Sequence, residues 1–349
     1  MKKVLLGMSG GVDSSVSAIL LKEQGYDVIG ITLELFGGTC CNTDAIVGAK
    51  QICNSIGIPH ITYNLKKEFQ CKVINNFIDE YSNQRTPNPC IECNKYMKFG
   101  AMYEKAKELG CDYIATGHYA KMEYSDEYGK YVLRKAQNLS KDQSYVLYNM
   151  PKQLLGKVLF PLGNFESKED VRKIAKEHNL SVASKPDSED ICFIPDGNYK
   201  KFLEQNSSIV PKEGNIVNRK GEILGIHTGL YNYTIGQRKG LGISYKVPLF
   251  VIGFNKERNE VIVGEQQELY RKEMKVNEVN LLLMDKIGKA LDVTVKIRYA
   301  SKPAEAIINQ TEAGNIQVIF KEPQRGITPG QSAVFYIGDV VVGGGKIQD

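Results

Sequence analysis

The chain has 349 residues and a mass of 39.0 kDa, which is too long for one compact α/β core and predicts two or three domains. Apolar residues at 42% and charged residues at 24% exclude wholesale disorder, and the net charge of +5 permits a polyanionic partner without requiring one. No stretch approaches the ~20 apolar residues of a membrane span, and the apolar run after Lys3 is too short for a signal peptide. We therefore expect a cytoplasmic protein whose eight cysteines are thiols, metal ligands or catalytic groups rather than a disulfide framework.

The first two hundred residues alternate short apolar runs with helical periods. The apolar runs predict strands at 4–6, 28–33, 60–63 and 113–115, and the periods predict helices at 14–24, 44–56, through 73–78 and at 94–109. Strands separated by helices pair in parallel through right-handed crossovers, so we predict an α/β fold with a doubly wound, Rossmann-like sheet. Such sheets bind ligands at the carboxyl ends of their strands, which directs attention to the loops after Leu6, Leu33 and Ala115.

The sequence after about Gln205 is rich in glycine and in short β-type runs. Two hairpins are predicted over 216–224 and 249–263. Further strands are predicted at 293–297, 316–320, 333–337 and 340–342, a pattern typical of a small β-barrel or sandwich. We predict a catalytic domain at 1–205, a central β-rich domain at 206–270 and a C-terminal β-barrel at 271–349.

A glycine- and serine-rich loop, 8–15, connects the first predicted strand to the first predicted helix. Its glycines allow a tight turn and a close approach to a ligand, and the helix presents unpaired N–H groups to an anion. An ordinary turn is the alternative, but the position at the end of the first strand favours a phosphate loop. The loop lacks the Walker A lysine and the Gly-x-Gly-x-x-Gly pattern, and Ser9–Ser14 resembles the signature of the PP-loop ATP pyrophosphatases. Asp13 is placed to hold Mg²⁺ that bridges phosphate oxygens.

Two cysteines about a hundred residues apart lie in settings that suggest chemistry. We predict that residues 85–94 form a proline-stiffened loop that opens a helix near Asn94, so that the helix dipole lowers the pKa of Cys93. Cys192, in a short apolar run, would by itself more often be a core thiol. The Cys90-x-x-Cys93 pair supplies only two of the four ligands of a structural zinc site, which Cys40-Cys41 could complete. Alternatively, Cys90, Cys93 and Cys192 could hold an iron–sulfur cluster.

Seven motifs in order along the chain are similar to those of the tRNA-specific 2-thiouridylase family. They are Ser9–Ser14, Arg85–Pro89 with Cys93-Asn94, Ala115–Tyr119, Lys141–Tyr145, Asp190–Phe193, Gly236–Gly242 and Thr328–Ala333. The resemblance implies a transferase of tRNA processing that replaces the C2 oxygen of uridine 34 by sulfur. In this family ATP adenylates the base, a cysteine persulfide supplies the sulfur, and a disulfide bond remains.

The resemblance also assigns residues, which we state as expectations. Cys93 matches the nucleophile and Cys192 the persulfide carrier, whereas Cys90 stands where many members have aspartate. The ATP site would comprise Gly7, Met8, Ser9, Gly10, Gly11, Val12, Asp13, Ser14, Leu33 and Gly117. The tRNA site would comprise Asn88, Pro89, Cys90, His118, Lys141, Asp142, Gln143, Arg298, Tyr299 and Gln331. The expected cofactors are ATP and Mg²⁺, with the persulfide route favoured over an iron–sulfur cluster. The expected partners are tRNA and a sulfur donor, either a cysteine desulfurase or a sulfur-relay protein, and no membrane.

Residue chemistry fits a tRNA partner without the resemblance. His118, Tyr119 and Tyr145 could stack on an unstacked base, and Arg298-Tyr299 near Lys296 could contact phosphates. Two rival functions remain open at this point. A small-molecule ligase with the same phosphate loop would need no spaced cysteines, and an RNA-binding module would use its nucleotide loop only for regulation.

Overall fold

The computed structural model describes residues 1–36, 43–185 and 191–348, and its first part is a sheet with helices on both faces. Its elements are β1 (Lys3–Gly7), α1 (Val12–Glu23), β2 (Asp27–Glu34), α2 (Thr43–Ile56), β3 (His60–Asn64), α3 (Lys66–Phe69), α4 (Asn75–Ser82), α5 (Pro89–Cys93), α6 (Met102–Glu108), β4 (Tyr113–Ala115), β5 (Ala120–Ser125), β6 (Lys130–Lys135), α7 (Ser144–Leu147), β7 (Val158–Leu159), α8 (Lys168–Glu177) and α9 (Tyr199–Asn206). Strands pair in parallel in the order β3-β2-β1-β4-β7, which confirms the predicted doubly wound sheet.

The central strand explains why both faces of this sheet carry helices. Successive side chains of a strand point to opposite faces. Val4 and Leu6 of β1 therefore enter one core, whereas Leu5 enters the other, and all three are fully buried. The phosphate-loop corner after β1 consequently rests on a strand that is fixed from both sides.

The helix that carries the Cys90–Cys93 pair begins earlier than the sequence predicted. It starts at Pro89 and continues through a π-helical stretch, Asn94–Ala101, into α6. Proline suits the first turn because that turn needs no N–H donor, and the Asn88 side chain caps the helix by accepting the N–H of Cys90 at 3.1 Å. The predicted start near Asn94 is therefore wrong by about one and a half turns.

The second and third parts are β-rich, as expected. A four-stranded sheet in the order β10-β11-β8-β9 contains β8 (Gly214–Asn218), β9 (Ile223–His227), β10 (Phe250–Asn255) and β11 (Glu260–Gly264), and both predicted hairpins are present. It is followed by β12 (Tyr270–Leu281), β13 (Leu291–Lys296), β14 (Ala304–Gln310), β15 (Ile316–Arg325), β16 (Ser332–Ile337) and β17 (Val340–Ile347). These six strands close into a barrel because β12 pairs with both β15 and β17.

One hairpin links the first part to the barrel. Strands β5 and β6 lie between β4 and α7 in sequence, yet they extend the barrel sheet beside β17, where Val340 pairs with Arg134. The sequence did not predict this hairpin. Within the ranges that the structure describes, no helix has the length and apolar character needed to cross a bilayer.

Candidate active site

The loop between β1 and α1 is fixed by hydrogen bonds to the neighbouring strand β2. Met8 donates its N–H to Ile31 O at 2.7 Å, and its carbonyl accepts from Thr32 Oγ1 at 2.8 Å, so the loop is tied to β2. Gly10 has φ +74°, and a Cβ there would lie 3.1 Å from Ala45 O. A side chain at Gly10 would therefore strain the turn and press on the start of α2.

Within this loop, the serines divide into structural and accessible groups. Ser15 is fully buried and donates to Gly11 O at 2.8 Å, so its hydroxyl serves the start of α1. Ser14 accepts from the N–H of Ser9 at 3.2 Å, whereas the side chain of Ser9 is exposed. Met8 and Val12 point into the core, so they can offer a ligand only backbone groups. The expected ATP site is thus a backbone cradle rimmed by Ser9.

A lysine that the sequence reasoning missed completes the loop. Lys168, the first residue of α8, places Nζ 2.6 and 2.7 Å from the two carboxylate oxygens of Asp13. The Tyr119 hydroxyl donates to the same carboxylate at 2.8 Å. Lys168 is 93% buried, so its positive charge is fixed beside the N-terminus of α1. A phosphate loop without a Walker lysine thereby receives a cation from a different helix.

This arrangement does not fit Asp13 as a Mg²⁺ ligand. Both of its oxygens already face the Lys168 ammonium, which opposes a second cation at that carboxylate. Among the described residues, no group of three His, Cys, Asp or Glu side chains is arranged to hold a metal ion. The structure therefore favours a charge-positioning role for Asp13.

The loop after β4 packs on the phosphate loop through a glycine. A Cβ at Gly117 would lie 3.0 Å from Asp13 C and Ser14 N, so this close approach requires glycine. Leu33, at the end of β2, is half-buried and contacts two apolar clusters, one under the sheet and one around the cysteines. The carboxyl ends of β1, β2 and β4 thus lie at one sheet edge, as the sequence predicted.

His118 lies in the interior rather than on a tRNA-facing surface. Its ring packs among Phe99 and Phe160, and Lys98 Nζ lies 3.3 Å from Nε2. Because an ammonium can only donate, Nε2 is the acceptor, and Nδ1–H donates to Thr116 Oγ1 at 2.7 Å. Burial, together with Lys98, lowers the pKa of His118 well below its ordinary value, so the ring is neutral.

The two candidate catalytic cysteines belong to the same apolar cluster. Cys93, at the end of α5, is 91% buried in a core that also contains Phe77 and Phe193, and Cys192 packs against that core with partial exposure. A separation of about a hundred residues is therefore closed by the fold. Cys90, in the first turn of α5, is exposed. Because the helix begins at Pro89, Cys90 lies in its first turn and Cys93 lies beyond that turn, which differs from the placement predicted for Cys93.

The alternative metal roles of the cysteines find no support in the described residues. Cys90, Cys93 and Cys192 do not form a group that could hold a metal ion there, so the iron–sulfur ligand set is not assembled. Cys40 and Cys41, which were considered as zinc ligands, lie outside the described residues, as does Asp190 of the motif that precedes Cys192.

Several residues expected to contact tRNA are buried or make hydrogen bonds within the protein. Asp142 is buried and accepts the N–H groups of Ala136 and Ser144 at 3.0 and 3.2 Å. Gln143 exchanges hydrogen bonds with both backbone groups of Tyr119, at 2.8 and 2.9 Å. Pro89 is buried in α5. Lys141 is half-exposed. Asp142 and Gln143 therefore shape the loop around the site through their hydrogen bonds, and the expected contacts with tRNA stay predictions.

Arg298 and Gln331 are also engaged within the protein. Arg298 Nη2 donates to Ile235 O and Gly326 O, both at 3.0 Å, and contacts Thr328 Oγ1. Gln331 Nε2 donates to Thr86 O at 2.7 Å. One guanidinium nitrogen of Arg298 is therefore engaged by three protein acceptors, and the expected phosphate contact stays a prediction.

Tyr299 is the expected tRNA residue whose ring is presented outward. It is 42% exposed, its ring meets that of Tyr145 edge-on at 6.0 Å, and Lys296 Nζ lies 5.6 Å from its centroid. Burial raises the pKa of Tyr299, and the nearby Asp142 and Cys90 raise it further. Tyr299 thus lies within electrostatic range of Cys90, which is in the first turn of α5. Tyr119 and Tyr145, proposed as stacking rings, are buried.

A basic side chain from the unpredicted hairpin joins this face. Lys135 Nζ lies 4.3 Å from the centroid of the Tyr336 ring, and burial lowers the pKa of both Lys135 and Lys296. The only sequence signal for a role of Lys135 was the content of β6, which has three basic residues and one tyrosine. Lys168 had a clearer signal, because Ser167-x-x-Asp170 is a helix-start pattern. It follows β7 after a seven-residue connection, and β7 is the one strand of the described parallel sheet that the sequence did not predict.

Comparison with known proteins agrees with this architecture. Residues 2–196 match the family model described as tRNA methyl transferase HUP domain, 200–265 the tRNA methyl transferase PRC-barrel domain, and 271–347 the aminomethyltransferase beta-barrel domain. The chain is 49% identical over 357 residues to the tRNA-specific 2-thiouridylase of Acetivibrio thermocellus, with 99% of each chain covered. The chain belongs to the tRNA-specific 2-thiouridylase family.

A second relative matches over nearly the whole chain. The tRNA-specific 2-thiouridylase of Clostridioides difficile is 48% identical over 355 residues, with 99% of this chain and 98% of the relative covered. A solved 4-thiouridine synthetase–RNA complex with bound ATP is 20% identical over 58% of this chain and 50% of that chain, with a TM-score of 0.40. The family and the α/β-plus-two-β-domain fold predicted from the sequence are therefore confirmed.

Proposed function

We propose that this chain is a tRNA sulfurtransferase that uses ATP to replace the C2 oxygen of uridine 34 by sulfur. The observation that carries the proposal is the shared apolar cluster of Cys93 and Cys192, which adjoins Leu33 at the same sheet edge as the phosphate loop. A small-molecule ligase would not need two distant cysteines brought together beside its nucleotide loop. The full-length relatives named for 2-thiolation support the same choice of reaction.

The first step is adenylation of the base. The C2 oxygen of uridine attacks the α-phosphorus of ATP, and pyrophosphate leaves. The loop 8–14 would hold the leaving pyrophosphate with backbone N–H groups at the start of α1, and Lys168 would supply a fixed positive charge beside it. Asp13 and Tyr119 orient that ammonium. ATP is expected to bring its own Mg²⁺, because the described residues do not fit a protein-held ion at Asp13.

The second step is sulfur transfer. A cysteine desulfurase or a sulfur-relay protein would load Cys192 as a persulfide. The terminal sulfur attacks C2 and AMP leaves, and the Cys93 thiolate then attacks the inner sulfur and releases 2-thiouridine. In the other branch, Cys93 first displaces hydrosulfide, which attacks C2. Either branch leaves a Cys93–Cys192 disulfide that an external thiol must reduce. The shared cluster of the two residues supports this pairing.

The tRNA would reach the site across the face between the barrel and α5. Tyr299 offers an exposed ring, Lys296 and Lys135 offer positive charge, and Cys90 is exposed beside them. Aromatic stacking combined with lysine contacts is a common way to hold an unstacked base and its backbone. We place the reaction in the cytoplasm, where tRNA and reduced thiols are present.

The test uses purified protein, ATP, tRNA and a persulfide donor, with 2-thiouridine measured by nucleoside mass spectrometry. Cys93→Ser and Cys192→Ser should each abolish 2-thiouridine and leave tRNA-dependent pyrophosphate release within about threefold of wild type. Cys90→Ser should be milder. Cys71→Ser, at an exposed cysteine on another helix, is the matched control and should be fully active. Full thiolation by iron-free Cys192→Ser protein would refute the proposed route.

A further inference from the structure

The segment before the cysteine helix is held by both β-rich domains at Thr86. Its N–H donates to Pro329 O at 2.9 Å, and its carbonyl accepts from Gln331 Nε2 at 2.7 Å. Its hydroxyl lies 3.4 Å from Thr234 Oγ1 of the central domain. Thr86 is two residues before Asn88, which caps α5. The position of α5 is therefore tied to the barrel and to the central domain through one residue.

Close steric contact fixes how the barrel segment 326–331 meets the loop before α5, and we call this contact the joint. Gly330 has φ +87°, and a Cβ there would lie 2.8 Å from both Arg85 Cβ and Thr86 N. Arg85 in turn pairs with the buried carboxylate of Glu80 at 2.7 Å, and Lys346 of β17 reaches the same carboxylate at 3.2 Å. The barrel segment 326–331 and the loop before α5 thus fit together with little freedom to shift.

Arg298 fixes the barrel side of this joint. A single nitrogen, Nη2, holds Gly326 O and Thr328 Oγ1 of the segment 326–331 and also Ile235 O of the central domain. Ile235 adjoins Thr234, the residue that meets Thr86. Arg298 therefore closes a ring of contacts that runs from the barrel to the central domain, to Thr86 and back to the barrel.

We propose that Arg298 is a positioning residue, which acts through segment 326–331 and Thr86 to place the α5 helix, and with it Cys93, for sulfur transfer. The inference rests on the proposed function and extends it. A displacement of about 1 Å in a reacting group can cost roughly 100-fold in rate, so a small shift of α5 is enough to slow the step. When tRNA binds to the β-rich domains, the contacts of those domains with Thr86 would already hold α5 in position.

The decisive experiment separates positioning from phosphate contact. Arg298→Ala, Arg298→Lys and Gln331→Met are compared with Lys302→Ala, an exposed charge four residues from Arg298. Three quantities are measured: the salt dependence of tRNA affinity, tRNA-dependent pyrophosphate release, and single-turnover thiolation at saturating tRNA. For Arg298→Ala we expect thiolation to fall at least tenfold, pyrophosphate release to change less than threefold, and the salt slope to match wild type. Gln331→Met should show the same pattern more weakly, and Arg298→Lys should restore part of the rate.

A salt slope reduced by about 0.7 to 0.9 with a normal rate at saturation would show a phosphate contact and overturn the inference. If Arg298→Ala does not fold, Gln331→Met decides, because it removes only the hydrogen bond to Thr86. A normal thiolation rate in Gln331→Met would then count against the joint. Wild-type protein that makes no 2-thiouridine would refute the proposed function instead, so the two failures are distinguishable.

Discussion

Replacement of Lys168 by methionine tests the origin of the positive charge at the phosphate loop. The substitution keeps an unbranched side chain as far as the Cε position and removes the ammonium that lies 2.6 and 2.7 Å from the Asp13 oxygens. A hydrogen bond to a charged group contributes about 1.5–3 kcal/mol, and about 1.4 kcal/mol corresponds to a factor of ten. If the Lys168–Asp13 ion pair stabilises the adenylation transition state, the rate of pyrophosphate release by Lys168→Met should fall roughly 10- to 150-fold.

The assay is pyrophosphate release with saturating tRNA and ATP, with tRNA affinity measured in parallel. Lys173→Met on the same helix is the matched control, because its side chain is 76% exposed and its Glu177 partner is 4.0 Å away. The control should release pyrophosphate at the wild-type rate, and Lys168→Met should bind tRNA normally. A folded Lys168→Met protein with wild-type pyrophosphate release would refute the assigned role of this lysine.

Two further predictions concern His118 and Gly117, in the loop that follows β4. The pKa of His118 is lowered by burial and by Lys98, so the unfolded chain binds a proton near the ordinary value of 6.5 while the folded chain does not. The free energy of unfolding should therefore fall as pH drops below about 6.5, by up to ~1.4 kcal/mol per pH unit, and His118→Gln should flatten this fall in urea titrations at pH 7.5 and 5.5. An unchanged pH dependence in the variant would contradict the buried, neutral ring. Gly117→Ala should weaken ATP binding at least tenfold in a calorimetric titration, because the added Cβ would lie 3.0 Å from the start of α1. The control is Gly48→Ala in α2, where an added Cβ meets nothing within 4 Å. This variant should bind ATP normally and gain up to about 1 kcal/mol of stability. Equal ATP affinity in the two variants would show that the loop tolerates a side chain at Gly117.

Local patterns in the sequence were sufficient to predict the architecture of the α/β domain. Alternating apolar runs and helical periods predicted the parallel sheet, and the glycine-rich corner after Leu6 was correctly placed at its carboxyl edge. Periodicity succeeds there because burial on both faces of a strand leaves a continuous apolar run. It failed for β7, which has two residues, and for the hairpin β5–β6, whose partner strand lies two hundred residues away.

The chemistry of individual side chains depended on partners that no local pattern specifies. Lys168 is an ordinary helix-start residue in sequence, and only the packing of α8 beside α1 brings it to Asp13. His118 and Arg298 have the residue types of RNA contacts, but the fold buries the first and turns a guanidinium nitrogen of the second onto three protein acceptors. The sequence by itself determined the class of fold and indicated a candidate nucleotide loop and a candidate pair of cysteines. The tertiary structure decided which charged side chains lie beside the loop and the cysteines. Lys168 and Asp13 are 155 positions apart, and their hydrogen bond depends on how whole helices pack in three dimensions and not on local sequence.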